Sequence, residues 1–121
     1  VVEKKMKIAV IGSKEFSNYN LLKSILDKEK EIEQIISGGA EGADTLAQKY
    51  AHENNIKFLE FAPNYEENGN EAKHIRDRLI IENCDKVIAF YDEKCEGTKY
   101  TMDHARQMHK PIYVILYEKL I

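Results

Sequence analysis

Ile32-Glu33-Gln34-Ile35-Ile36-Ser37-Gly38-Gly39-Ala40-Glu41-Gly42-Ala43-Asp44 is a short apolar run, a glycine turn and the opening of a helix. Ile32 to Ser37 reads as a strand closed by Gly38-Gly39. Beyond it Ala43, Leu46, Ala47, Tyr50 and Ala51 fall at i, i+3, i+4, i+7 and i+8, one apolar stripe on an otherwise polar helix. The same unit recurs on either side. Upstream, Ile8-Ala9-Val10-Ile11 is an unbroken apolar run closed by Gly12, the look of a strand buried on both faces. Leu22, Ile25 and Leu26 then mark a helix from Tyr19 to Lys30. Downstream come a strand from Ile56 to Ala62 stopped by Pro63 and a polar loop from Pro63 to Asn70. A helix carrying Ala72, Ile75, Leu79 and Ile80 follows, ending near Asn83. Val87 to Tyr91 is a strand, Asp92 to Glu96 a loop, Thr98 to His109 a helix and Pro111 to Leu116 a last strand. Strict alternation of strand and helix predicts an α/β fold: a mostly parallel five-stranded sheet with helices on both faces. The 121 residues contain no internal repeat and no composition break, so residues 1–121 are expected to form one domain. Val1 to Lys5 is a mixed prefix, and Met6 before Lys-Ile-Ala-Val-Ile reads as the natural start, which makes residues 1–5 a candidate foreign leader.

Composition narrows the function classes. Hydrophobic residues are 43% and charged residues 32%, which excludes a disordered chain. The formal net charge of −3 leads to an expectation of no broad nucleic-acid surface. Cys84 and Cys95 form no Cys-x-x-Cys pair, and the histidines lack metal spacing, so neither a metal nor a cofactor is expected. A reducing cytoplasm fits two unpaired cysteines. No apolar run approaches the roughly 20 residues that span a bilayer, so no membrane partner is expected. Self-association is left open.

In a parallel sheet of this kind ligands bind beyond the carboxyl ends of the strands, where strand order reverses. The loops that matter therefore begin at Gly12, Gly38 and Asp92. Ser37, Gly38, Gly39, Ala40, Gly42, Ala43 and Asp44 form the strongest signal. Glycines allow tight turning and close backbone approach, and the following helix offers free amides and the positive end of its dipole, a phosphate site. The alternative is a turn in which glycine serves geometry alone. Glu41 and Asp44 complicate the anion reading, because carboxylates in a first turn stabilise the helix yet repel a phosphate. Asp44 can instead hold a ribose hydroxyl or cap a backbone amide. Gly97, Thr98 and Lys99 form a second signal, with Thr98 either capping a helix or meeting a phosphate oxygen. Gly12, Ser13 and Lys14 form a third, with Phe16 or Tyr19 available to stack on a base; the alternative is a surface loop with an anchoring aromatic. Lys73 to Arg78 brings a basic cluster in which Ile75 and Leu79 face the core, so Arg76 and Arg78 point to different sides and at least one of them is a solvated surface charge; an arginine that reaches a site is the better phosphate fork.

Taken together these segments resemble the YspA-like (DUF2493) branch of the SLOG superfamily, which is related to the DNA-processing protein DprA and to the LOG phosphoribohydrolases. The resemblance rests on Lys7 to Ser13, Ser37 to Asp44, Leu46-Ala47, the helix of Tyr50, Ala51 and Glu53, Asp85 to Asp92, Gly97-Thr98 and Lys110-Pro111-Ile112. It implies a Rossmann-like three-layer sandwich, cytoplasmic and often bacterial or phage-borne, that binds a small nucleotide or nucleotide-derived ligand. Such a protein acts as a sensor or accessory protein. The resemblance also implies that Arg76, rather than Arg78, meets the ligand. Where the family has Gly-x-x-Arg-Asn, this chain has Lys73 and Asp77 in place of the glycine and asparagine. Where the family has Asp-Trp it has Asn64-Tyr65, so base stacking would fall to Tyr65. The phosphoribohydrolase glutamate is replaced by Tyr100 or Thr101. N-glycosidic hydrolysis, for which Asp44 and Asp92 are the available carboxylates, and an interaction domain without ligand are the alternatives.

Overall fold

The computed structural model describes residues 5–118. The prefix reading of residues 1–5 lies outside them except at Lys5. Five strands, β1 (Met6–Gly12), β2 (Ile32–Ser37), β3 (Lys57–Glu60), β4 (Lys86–Tyr91) and β5 (Ile112–Leu116), form one sheet in the order β3-β2-β1-β4-β5. Every pairing is parallel. The expected Rossmann-like α/β architecture is therefore present, with an all-parallel sheet.

The continuous apolar run of β1 is explained by what covers it. Ile8 and Val10 face α1 (Tyr19–Leu26) and α2 (Ala43–Glu53), packing with Leu22, Leu26, Ala47, Tyr50 and Phe90. Ala9 and Ile11 face α4 (Ala72–Glu82) and α5 (Glu96–Gln107), packing with Ile80, Ile81, Met102 and Ala105. Alternate residues of one strand thus feed two cores, each fully buried side chain contributing about 1.5–3 kcal/mol.

The structure corrects several boundaries. The first helix ends at Leu26, because the Asp27-Lys28-Glu29-Lys30 run brings no apolar side chain and the Asp27 carboxylate is taken by Lys23 and the Tyr50 hydroxyl. The segment read as a polar loop holds a four-residue helix, α3 (Tyr65–Asn68), followed by a 3₁₀ turn over Gly69–Glu71. Asn64 caps α3 by accepting from the Glu67 amide at 3.1 Å. In α4 the buried face is Ala72, Ile80 and Ile81, whereas Leu79, expected in the core, is 39% exposed. Helix α5 starts at Glu96, two residues before the expected Thr98. Among the described residues no helix is long and apolar enough to cross a membrane.

Candidate functional site

Strand order reverses between β1 and β4: β2 and β3 lie on one side of β1, and β4 and β5 on the other. Loops diverge there, and a cavity of about 530 Å³ opens beyond the carboxyl ends of these two strands. Its size is that of a small-molecule site.

Many expected site residues meet around this cavity. Gly12, Ser13 and Lys14 line it from the loop after β1, and Ala40 and Asp44 from the start of α2. Arg76 comes from α4, and Asp92, Gly97 and Thr98 from the end of β4 and the start of α5. Ser37, Gly38, Gly39, Gly42, Ala43 and Lys99 are not in its lining. Lys99 lies on the exposed side of α5 and pairs with Asp103 at 2.9 Å.

The glycine loop is already filled by the protein. The Ala40 amide donates to Asp44 Oδ2 at 3.1 Å, and the Ala43 amide points to the Ser13 carbonyl at 3.4 Å. Gly39 and Gly42 have φ of 74° and 80°, a region costly to other residues. A Cβ on Gly39 would collide with the Glu60 carboxylate, and one on Gly42 with the backbone of Ser13 and Lys14. Gly38 makes room for the Arg76 guanidinium, which donates through Nη1 to the Gly38 carbonyl at 2.7 Å. Burial pushes the Asp44 carboxyl above the ordinary carboxylate range; Ser37, the Ala40 amide, Arg76 and the Gly38 amide hold it back.

The start of α5 is different. Cys95 occupies the cap position without any side-chain cap bond. Thr98 is the third helical residue, buried, and its hydroxyl donates to Cys95 Sγ at 3.2 Å, so the capping role read for it does not hold. The Asp92 carboxylate accepts from the Lys94 and Cys95 amides, both at 2.9 Å, and so braces the loop rather than the helix. Partial burial works against the charge of Asp92, but the amides of Lys94, Cys95 and Asp92 itself and the Lys94 ammonium bring its carboxyl below the usual range. The space beside Gly97 is open: apart from its chain neighbours and its own helix backbone, no atom of the described residues lies within 4 Å of where a Cβ would stand.

Arg76 reaches the site, but its partner is Asp77. Its Nε donates to Asp77 Oδ1 at 2.7 Å, and the two side chains are 11% and 15% exposed. Burial pushes the Asp77 carboxyl up, opposed by Arg76, the Thr101 hydroxyl and His74. Arg78 is exposed and does not line the cavity. Asp77, Lys73, Cys95 and Thr101 line the cavity, although the sequence reading did not select them for the site. A helical signal for two of them was present: Lys73, Arg76, Asp77 and Ile80 share one face at i, i+3, i+4 and i+7.

The aromatic residues offered for stacking are placed otherwise. Phe16 is buried, stacked on Phe90 with ring centroids 4.5 Å apart, because the loop after β1 folds back onto the core. The Tyr19 hydroxyl donates to Glu53, and Lys49 Nζ lies 4.2 Å above its ring. Tyr65 is 55% exposed on α3 and does not line the cavity. Tyr100 stacks on His74 at 4.0 Å. Among the described residues no cluster of His, Cys, Asp or Glu could hold a metal ion.

Comparison with solved structures identifies the fold independently. DNA processing protein A from Streptococcus pneumoniae matches with a TM-score of 0.79 and 21% identity, covering 96% of this chain and 52% of that one. DNA processing protein A from Helicobacter pylori, described for its single-stranded DNA binding mode, matches with a TM-score of 0.70 and 24% identity, over 93% and 66% of the two chains. This chain therefore spans only part of the length of each. No curated protein matches it. The Helicobacter protein, described for its single-stranded DNA binding mode, overturns the expectation of no broad nucleic-acid surface as an inference from this fold and charge. The physical reason is that net charge sums the whole surface, whereas a strand needs only a local basic rim, and Lys14, Lys73 and Lys94 ring this cavity. A family model, described as the YspA, cpYpsA-related SLOG family, matches residues 6–67, just over half of the sequence, from β1 through the glycine loop to α3. The chain belongs to the YspA, cpYpsA-related SLOG family.

Proposed function

We propose that the cavity binds a nucleotide or nucleotide-derived ligand, with a phosphate at the start of α5, and that the protein works as a sensor or accessory protein. The observation that carries this reading is the meeting of a ligand-sized cavity with the uncapped start of a 12-residue helix. Free first-turn amides and the positive end of the helix dipole favour an anion. Open space at Gly97 lets a phosphate approach the backbone, and the rim lysines add long-range attraction. The DNA-binding neighbour is consistent with this, because a DNA strand presents the same unit of base, sugar and phosphate.

Binding without turnover is favoured over N-glycosidic hydrolysis. That reaction needs a carboxylate poised over the sugar, but Asp92 Oδ1 is held in its loop by two amides and Asp44 Oδ2 by the Ala40 amide. Thr101, where the resemblance places a glutamate, donates its hydroxyl to the Gly97 carbonyl at 3.0 Å.

The variant Gly97→Val tests the reading. Valine is a better helix former than glycine and meets open space, so stability should not fall. Calorimetric titration with nucleoside monophosphates should show binding at least tenfold weaker than in the wild type, and none of the monophosphates should release free base. Unchanged affinity in Gly97→Val would move the phosphate elsewhere. A short oligothymidylate that binds while all free nucleotides fail would assign the site to single-stranded nucleic acid.

A further inference from the structure

Resting on the nucleotide reading above, we infer that Asp77 limits the charge of the ligand, so that the site takes a nucleotide bearing a single phosphate group and discriminates against di- and triphosphates. The argument is a charge balance by depth. The buried part of the cavity holds three ionisable side chains, Asp44, Arg76 and Asp77. Arg76 is the one largely buried cation among the described lining residues, and two of its five N–H donors are already engaged: Nε is bound to Asp77 and Nη1 to the Gly38 carbonyl. One guanidinium thus faces two carboxyls.

The remaining cations of the lining, Lys14, Lys73 and Lys94, are all exposed. Solvent and salt screen them, whereas charges held in the protein interior act at low effective dielectric. Burial pushes both Asp44 and Asp77 above the ordinary carboxylate range, and Arg76 offsets this only in part. One phosphate can be met by the α5 amides. Each further phosphate adds negative charge beside an uncompensated carboxylate, and the only added compensation comes from screened lysines. A phosphodiester, with one charge per phosphate, satisfies the same limit.

Asp77 is the residue to change, because Asp44 also holds the glycine loop together. An asparagine side chain at this position keeps the shape and can still accept from Arg76. Calorimetric titrations would use the mono- and triphosphates of the four common ribonucleosides against wild type, Asp77→Asn, Asp77→Ser and Asp77→Glu. Wild type and Asp77→Glu should bind the monophosphate of the preferred nucleoside at least tenfold more tightly than its triphosphate. In Asp77→Asn the ratio of triphosphate to monophosphate affinity should rise at least tenfold, and Asp77→Ser supplies the same comparison should the asparagine variant fail to fold. A wild type that binds both phosphates equally, or neutral variants that leave the ratio unchanged, would overturn the role of Asp77 while leaving the nucleotide site standing. A wild type that binds none of these nucleotides would overturn the nucleotide reading, and this inference with it.

Discussion

Helices α2 and α5 both begin beyond the carboxyl end of a strand, with a glycine at or beside their first turn and no side-chain cap, yet their surroundings differ. At α2 the protein supplies its own anion: Asp44 takes the Ala40 amide, the Ser13 carbonyl takes the Ala43 amide, and Arg76 and Glu60 press on the glycines from outside. At α5 the space beside Gly97 is open. The lesson is that a glycine-rich turn marks close approach, and only the neighbours decide whether the approaching group is a ligand or the protein itself.

The largest expected effect separates the two starts by stability. Gly39→Val forces a β-branched residue into positive φ, costing about 1–3 kcal/mol, while the exposed Glu60 carboxylate can swing aside. Gly97→Val should change stability by no more than about 0.5 kcal/mol, as at an open surface position. Urea unfolding of both variants checks this, and equal losses would break the contrast. It follows that Gly39→Val is a folding variant and no clean reporter of binding.

How far the sequence reaches can be judged from the same elements. The strands were legible because runs such as Ile8 to Ile11 are apolar on both faces, and α2 because its stripe keeps helical spacing. Helix α3 was not, since its four residues bury nothing and rest on a single Asn64 cap. The start of α5 was misread because Gly97-Thr98 looks like a helix cap, whereas the chain enters the helix from Cys95 with no side-chain signal. The cavity loops were legible from strand order and glycine placement. That Asp44 takes a backbone amide was one of the alternatives read from the sequence, and the Ala40 amide is the one it takes; that Gly38, Arg76 and Ser37 gather around it was not legible, because they reach it only once the sheet and α4 have assembled.

A smaller effect is expected from pH. The folded-state values of Asp44 and Asp77 are raised, so the folded protein holds protons that the unfolded chain has released above about pH 3.9. Their contribution to stability therefore falls as pH rises from that point through the raised values. Asp92 has the opposite sign: its lowered value contributes stability above about pH 3.9 that is lost as pH falls through the folded-state value. Thermal unfolding followed from acid to neutral pH should show a shallower decline above about pH 3.9 in Asp77→Asn than in wild type. An unchanged slope would mean that Asp77 has no raised value in the fold.

The central claim is that an incoming phosphate meets α5 and not the glycine loop, and amide chemical shifts read both places at once. Titrating a nucleoside monophosphate into nitrogen-15-labelled protein should move the Gly97 and Thr98 amide resonances in a saturable way while those of Gly38, Gly39 and Ala40 stay nearly still. Saturable shifts at Gly38, Gly39 and Ala40 with Gly97 and Thr98 unmoved would contradict the account.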